Sequence, residues 1–206
     1  MVRLLCILIF CVVISNTFAQ SDTIGKEKYT SDFVFDEGIY LTYEQFKADS
    51  PAIKKFFIKK PAPYSDPNYI LVEYVCNDSI KTPGSCEIKD CWGYSYRSDI
   101  FISHAYYAYY FKLMVIGSVC HFVGLSGVGS TATDIMTGFG GDNEYKQFFI
   151  DFETGDVQLF SYKYFSAFLK SHDDALYQEL LKQKKKKKII FKYLLKYNEK
   201  HPVYFG

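Results

Sequence analysis

Few residues in this sequence could carry chemistry, and none of them completes a catalytic motif. The glycine-rich stretch at 124–131 resembles a phosphate-binding loop, but Ser130 stands where that loop needs a lysine to reach the phosphates. Gly124-Leu125-Ser126 begins a nucleophile elbow, yet Val128 replaces its final glycine. The histidines belong to no metal or triad motif; they are His104, His121, His172 and His201. The sequence therefore predicts no cofactor and no metal site, and it leaves any catalytic residue unknown.

Four cysteines beyond residue 19 are candidates for disulfide bonds: Cys76, Cys86, Cys91 and Cys120. They allow three pairings, and the sequence does not choose among them. Cys76 and Cys86 flank a turn-rich loop, which favours that pairing and would leave Cys91 and Cys120 to join two strands. The alternative is four small buried residues with free thiols. The spacings are not the short hooks of a structural zinc module.

A run of five lysines lies in a C-terminal segment whose charge is opposite to that of the remaining chain. The segment 182–200 holds nine lysines and one acid, whereas 20–181 holds 14 basic and 22 acidic residues. The simplest use of this asymmetry is attraction within the chain or between subunits, weakened by salt. The run could instead bind anionic lipid headgroups or other polyanions, or form a solvated link or helix face. Its members are Lys184, Lys185, Lys186, Lys187 and Lys188.

Aromatic residues are concentrated between 104 and 111. An exposed aromatic surface there could stack on sugar rings or on a partner protein. The alternative is that alternate residues fill the core while the others pair across strands. The residues of this predicted contact surface are Trp92, Tyr106, Tyr107, Tyr109 and Tyr110.

The N-terminus has the anatomy of a secretory signal peptide. Arg3 precedes an apolar run at 4–14, and the small residues Thr17 and Ala19 occupy the −3 and −1 positions of a cleavage site. The apolar run is about half the ~20 residues that a spanning helix needs, and no later run reaches that length. We therefore expect a signal peptide at 1–19, a flexible lead-in at 20–32 and a single domain at 33–206, with no transmembrane segment after cleavage. Export to the periplasm, cell surface or extracellular space disfavours a nucleic-acid partner.

Hydrophobic patterning predicts an α+β fold. The composition, 49% hydrophobic and 19% aromatic, excludes global disorder. A capping box starts a short helix at 43–48: the Thr42 hydroxyl accepts the Gln45 N–H, and the Gln45 side chain reaches back to the Thr42 N–H. Strands are predicted at 69–76, at 91–95 and 99–103, at 109–116 and 119–124, and at 145–152 and 157–162.

The C-terminal part of the chain changes to helical spacing. Apolar residues recur with the period of a helix from Tyr164 to Tyr197, with Asp173 and Asp174 as candidate caps and His201-Pro202 as the stop. Strands followed by helices predict an antiparallel β-meander of hairpins with a short N-terminal helix and C-terminal helices on one face. A glycine-rich loop is expected at 124–142, and a lysine-rich helical region at 182–200.

Several short motifs occur in a fixed order along the chain: GIYLTYEQF at 38–46, CWGY at 91–94, FKL with a following glycine at 111–117, DFETGD at 151–156, and YN with a following proline at 197–202. This ordered set resembles a group of uncharacterised exported proteins of Bacteroidota, over residues 36–202. The resemblance implies a bacterial envelope or secreted location and no known activity.

These observations favour a non-catalytic exported domain that binds a protein, a glycan or another component of the cell envelope. Two alternatives stay open. One is a hydrolase whose site is assembled in space from distant residues. The other is peripheral attachment to anionic lipid through the lysines at 184–188.

Overall fold

The structure is a computed structural model that describes residues 25–60, 67–76, 79–81, 91–104, 109–126 and 144–206. Its helices are α1 (Tyr43–Lys47), α2 (Tyr162–His172), α3 (Asp174–Leu181) and α4 (Lys186–Lys200). Its strands are β1 (Glu27–Lys28), β2 (Gly38–Tyr40), β3 (Phe56–Lys59), β4 (Leu71–Cys76), β5 (Ser79–Lys81), β6 (Gly93–Tyr96), β7 (Asp99–Ser103), β8 (Tyr110–Val115), β9 (Val119–Ser126), β10 (Glu144–Asp151), β11 (Val157–Leu159) and β12 (Tyr204–Phe205).

A seven-stranded antiparallel sheet forms the centre of the fold, in the order β11-β10-β9-β8-β7-β6-β2. Strands that follow one another from β6 to β11 are also neighbours in the sheet, as expected for a meander. The β6–β7 turn places Arg97 and Ser98 at φ 52° and 63°, the positive values that a tight two-residue hairpin requires. Together with the short helix α1 and the C-terminal helices α2 to α4, this sheet confirms the predicted antiparallel α+β fold.

Two smaller sheets pair the other strands that the structure describes. β3, β4 and β5 form a three-stranded antiparallel sheet, and β1 pairs with β12. Strand β1 lies within the segment expected to be a flexible lead-in, so that expectation is wrong for residues 27–28. Order extends to Tyr29, whose N–H donates to the Val203 carbonyl at 3.0 Å and whose ring packs against the central core.

Helix α1 begins where the capping box predicted it. The Thr42 hydroxyl accepts the Gln45 N–H at 3.3 Å. The Gln45 side-chain oxygen accepts the N–H of Leu41 at 2.7 Å, one residue earlier than the predicted Thr42 N–H. This cap turns Phe46, which is fully buried, onto Trp92, with 4.5 Å between the stacked ring centroids.

Alternation along the strands gives the central sheet two apolar faces. One face forms the largest core cluster, which includes Phe122 and Ile150 and is closed by α1. The other face is covered by two different layers. Helices α2 to α4 pack on it around Phe149, and the three-stranded sheet packs on it around Tyr94 and Tyr74.

The C-terminal helices are held to the sheet by side-chain caps and one amide. Ser161 caps α2 and Asp173 caps α3. The Asn198 amide accepts the Val119 N–H at 2.7 Å and donates to the Val119 carbonyl at 2.8 Å, as a neighbouring strand would. A Cβ at Gly117 would lie 2.5 Å from the Asn198 side chain, so this docking needs glycine there. In the part of the chain that the structure describes, no helix combines the length and the apolar character needed to cross a membrane.

Candidate functional site

The lysine run at 184–188 surrounds the first turn of α4. The N-cap residue of this helix, Lys185, makes no side-chain hydrogen bond to the turn, and the turn contains no acidic residue. Free N–H groups at a helix N-terminus carry partial positive charge, so lysines are unfavourable neighbours there. This end of α4 therefore holds an excess of positive charge that a bound anion would neutralise.

The ion pairs of the C-terminal segment lie away from this run. Lys196 pairs with Glu179 at 2.5 Å and Lys200 pairs with Asp173 at 2.6 Å. Within the described residues, none of the lysines at 184–188 has a carboxylate within ion-pair distance. The predicted attraction between the acidic body and the basic segment therefore involves the last turns of α4 and leaves its first turn without counter-charge.

A groove of about 730 Å³ opens beside this helix end. It lies between the β10–β11 hairpin, the start of α2 and the first two turns of α4. Four lysines line it: Lys146, Lys163, Lys187 and Lys188. Its apolar lining consists of Leu159, Phe160, Ile190 and Phe191. A neighbouring hollow of about 410 Å³ is lined by Tyr162 and the lysines at 184–188, so the two depressions share one basic border.

His121 lies beneath the apolar lining of the groove. Its ring packs edge-on against Phe160 and Phe191, with centroid distances of 5.0 and 5.3 Å. Its Nε2 lies 3.1 Å from the side-chain oxygen of Gln147, which also lines the groove. Burial lowers the pKa of this imidazole, so the ring is neutral at physiological pH. Nε2 then carries the proton that Gln147 accepts.

The second ring nitrogen of His121 is an orphaned polar atom. The residue is 5% exposed, and Nδ1 has no hydrogen-bond partner within the described residues. Leaving such a buried acceptor unsatisfied costs about 1–3 kcal/mol.

The groove has the chemistry of a site for an anion with an apolar part. Its volume lies within the range of roughly 300–1,000 Å³ that is usual for small-molecule sites. The lysines and the free N–H groups of α4 attract negative charge, and the phenyl rings offer a surface for hydrocarbon. The described side chains that line the groove include no carboxylate or imidazole.

A second cluster of polar residues lies at the opposite end of α4. A cleft of about 380 Å³ is lined by His172, His201, Asp151, Tyr197 and Ser118, among others. It is the place where acid and base side chains converge, as a spatially assembled hydrolase would require.

The polar groups of this cleft are already engaged in holding the fold. The Asp151 carboxylate accepts the Glu153 N–H at 2.9 Å and shapes the β10–β11 turn. The Ser118 hydroxyl donates to the main-chain carbonyl of His201 and not to its ring.

The His172 imidazole has a serine neighbour, since the Ser171 hydroxyl lies 2.8 Å from its Nδ1, and an Asp151 oxygen lies 3.8 Å from its Nε2. Ser171 does not line the cleft, and its hydroxyl donates to the Phe168 carbonyl at 2.9 Å. The described residues also contain no group of three or more His, Cys, Asp or Glu side chains placed to hold a metal ion.

Asp173 is the centre of this C-terminal cluster, although it lies just outside the cleft. Its Oδ2 accepts Lys200 Nζ at 2.6 Å and His201 Nε2 at 2.9 Å, and its Oδ1 accepts the Leu176 N–H at 3.1 Å. Burial alone would raise the pKa of this carboxyl, but the bonds from Lys200, His201 and Leu176 lower it to about 2. Asp173 therefore joins the start of α3 to the end of α4.

Three of the four candidate cysteines can be placed. Cys76 ends β4, although its side chain lies outside the described residues, as does Cys86 altogether. Cys91 is buried, with its sulfur 3.0 Å from the Tyr110 hydroxyl. Cys120 is a free thiol that is 1% exposed and donates to the Gly117 carbonyl at 3.4 Å. A bond between Cys91 and Cys120, one of the pairings that the sequence left open, is therefore not formed, because strand alternation turns Cys120 into the central core.

The predicted aromatic contact surface is not formed by the residues that the structure describes. Tyr109 and Tyr110 are 8% and 4% exposed and belong to two different core clusters. Trp92 is partly buried against Phe46. The prediction is therefore wrong for Tyr109 and Tyr110, because successive strand residues fill the cores on opposite sheet faces. Tyr106 and Tyr107 lie outside the described residues.

Most of the groove escaped the sequence analysis, which identified only the lysine run. Lys146 and Phe160 come from the open end of one hairpin, Lys163 from the start of α2, and Phe191 from a helix that follows later. One signal was present. The Phe160 N–H donates to the Gln147 carbonyl at 2.8 Å, so the predicted pairing of 145–152 with 157–162 already places Lys146 close to the start of α2. Nothing in the sequence shows which part of α4 packs beside them.

Comparison with known proteins adds no relative. No protein-family model, no curated protein and no solved structure matches this chain. The functional interpretation therefore depends on the groove, the lysine run and the C-terminal cluster themselves.

Proposed function

We propose that this protein is an exported binding domain that attaches to an anionic component of the cell envelope through the first turn of α4. The observation that carries the proposal is the lysine run at 184–188, which surrounds a helix N-terminus with no cap and no carboxylate partner within the described residues. The fields of the lysines and of the helix N-terminus add, so an anion placed there is attracted by both.

An anionic lipid surface is the simplest component with this chemistry. Each lysine near such a surface contributes about 1 kcal/mol at low salt, which makes several lysines together a useful anchor. The same helix also exposes the apolar side chains of Phe191 (40%) and Leu195 (46%). These side chains would contact the apolar part of a membrane when the lysines contact its head groups. This proposal joins two expectations from the sequence: that the protein binds an envelope component, and that the lysines attach it to anionic lipid.

The test is binding to vesicles of phosphatidylcholine with and without about a third of phosphatidylglycerol. The variant replaces the four most solvent-accessible members of the run, Lys184, Lys185, Lys187 and Lys188, with glutamine. At about 1 kcal/mol per lysine, we expect partition onto the anionic vesicles to fall by about 100-fold or more. Binding by the unaltered protein should also weaken as salt is raised, and it should be absent on neutral vesicles.

The chain offers a matched control in a second group of four exposed lysines on and beside β3: Lys54, Lys55, Lys59 and Lys60. Lys54 pairs with Asp36 at 2.8 Å and Lys59 with Glu73 at 2.6 Å, so part of this charge is already compensated. Replacing these four with glutamine removes the same formal charge from another surface. Equal losses in the two variants would show that net charge alone drives attachment, and unchanged binding in the first variant would refute the proposal.

A further inference from the structure

The groove beside α4 has two kinds of lining that a flat charged surface would not need. Lys187 and Lys188 line it at the end nearest the helix N-terminus, and Lys146 and Lys163 line it from the sheet and from α2. The same lining contains Phe160, which is 8% exposed, and Phe191, which is 40% exposed. A ligand that uses the whole groove must therefore carry negative charge and hydrocarbon in one molecule.

The exposure of Phe191 indicates where the hydrocarbon lies. Its ring contacts the rings of His121 and Phe160 at 5.3 and 6.3 Å, so one side is packed and the other faces solvent. An apolar chain lying against that free side would remove exposed apolar surface from water. The neighbouring Ile190 is 8% exposed and continues the apolar lining toward the lysines.

His121 supplies a reporter for ligand binding at the same place. It is buried to about the same degree as the core, and its Nδ1 has no hydrogen-bond partner within the described residues. All three of its named contacts, Gln147, Phe160 and Phe191, line the groove. A ligand that displaces the Phe191 ring therefore changes the surroundings of this imidazole directly.

We propose that the groove binds a single-chain amphiphilic anion, whose acyl chain lies between Phe160 and Phe191 above His121 and whose head group lies at the N-terminus of α4. This rests on the anion binding proposed above and gives it a ligand class. The lysines on three elements hold the head group, and the phenyl rings hold the chain. The amphiphile is either a free molecule or a lipid drawn partly out of a membrane, since both present the same chemistry.

The experiment is calorimetric titration of the full chain with three probes. Dodecyl phosphate, kept below its micelle concentration, has both parts of the ligand. Methyl phosphate has the head group alone, and dodecyl maltoside has the chain with a neutral head. We expect one molecule of dodecyl phosphate to bind per chain, and each of the other two to bind at least about tenfold more weakly.

Two variants on α4 locate the chain. Phe191→Gln removes the partly exposed ring of the groove, and we expect it to weaken dodecyl phosphate binding about tenfold. Leu195→Gln is the control, because Leu195 is 46% exposed one turn further along and does not line the groove. Both positions are exposed, and matching thermal transitions will show that both variants fold. The His121 ring signals in nitrogen-15 spectra should shift with dodecyl phosphate and stay in place with methyl phosphate.

The outcomes separate this inference from the proposed function. Equal binding of methyl and dodecyl phosphate, or equal effects of the Phe191 and Leu195 variants, would overturn the amphiphile while leaving the lysine-dependent vesicle binding intact. If the protein binds dodecyl phosphate but does not bind anionic vesicles, the ligand is a free amphiphile, and attachment to a lipid surface is rejected. Loss of both kinds of binding would reject both proposals together.

Discussion

The two ends of α4 carry the same kind of charge in opposite electrostatic settings. At the C-terminal end, Lys200 and His201 meet the partial negative charge of the helix and a buried carboxylate, Asp173. At the N-terminal end, the lysines at 184–188 face partial positive charge with no carboxylate within ion-pair distance among the described residues. One end is arranged for stability, and the other tolerates a cost that an external anion would remove.

The contrast separates a structural cluster from a binding site. Basic residues that are already paired inside the protein gain little from a ligand, since binding must first break the pair. Basic residues that repel one another lose that repulsion when an anion arrives. The C-terminal cluster should therefore respond to mutation mainly in stability, and the N-terminal end mainly in binding.

The largest expected effect is the loss of Asp173. Asp173→Ala removes the α3 cap and leaves Lys200 and His201 without their carboxylate partner. We expect the free energy of unfolding to fall by about 3 kcal/mol. This loss of stability is smaller than the largest losses seen when a buried ion pair is broken, because Lys200 and His201 are partly exposed and regain contact with water. Urea unfolding measures it. Asp174→Ala, at an adjacent exposed position whose side chain accepts a hydrogen bond from Gln178, should change stability by less than about 0.5 kcal/mol.

The next effect is the pH dependence of the same carboxylate. Its pKa is about 2 in the folded protein against an ordinary value of 3.8, so its contribution is present above the ordinary value and is lost as the pH falls toward 2. Asp173→Asn cannot titrate. We therefore expect the stability difference between the unaltered protein and this variant to shrink by about 2 kcal/mol between pH 6 and pH 2. A difference that stays constant over this range would show that the charge of Asp173 contributes nothing.

A cap introduced at the other end should have a smaller effect of the opposite sign. Lys185→Asp places an acceptor at the N-cap of α4 and removes one positive charge, so we expect stability to rise by about 1 kcal/mol. Anionic vesicle binding should weaken in the same variant. Lys192→Asp, an exposed position within the helix, offers no cap and should not stabilise. A Lys185 variant that is no more stable than the Lys192 variant would show that the helix start is already satisfied.

The smallest effect is that of anions on the unaltered protein. Phosphate at tens of millimolar should slow amide hydrogen exchange in the first turn of α4 by about twofold, because it neutralises the lysines and binds the free N–H groups. The last turn, next to Lys200, should change less. Replacing Lys184, Lys185, Lys187 and Lys188 with glutamine should abolish the effect. An equal slowing of exchange at both ends would show that the two ends of α4 do not differ in their response to anions.

Local patterns predicted much of the fold. The strand β7 occupies the predicted residues 99–103, α1 begins after Thr42, and α4 ends at the predicted stop at His201-Pro202. Cys120 and His121 lie on opposite sheet faces, as their adjacency in a strand required. These features follow from periodicity, capping and turn geometry, which act over a few residues. The partner of the Gln45 side chain, Leu41, differed by one residue because more than one N–H lies within its reach.

The parts that failed or were missed depend on contacts between distant residues. The burial of Tyr109 and Tyr110 depends on two layers that cover opposite faces of β8. The Cys91–Cys120 pairing was suggested by elimination, and the structure instead places Cys120 in the central core. The groove joins a hairpin, the start of α2 and α4, and no sequence pattern reports how such elements pack together.

By itself, the amino-acid sequence determined the α+β class, the hairpins and the segregation of positive charge at 182–200, since these depend on residue type and short-range spacing. Only the tertiary structure decided which positive charges are neutralised. Asp173 and Glu179 reach Lys200 and Lys196 because α3 and α4 pack together, whereas no acid among the described residues comes within ion-pair distance of 184–188. Electrostatic pairing falls steeply with distance, and distance between remote residues is set by packing.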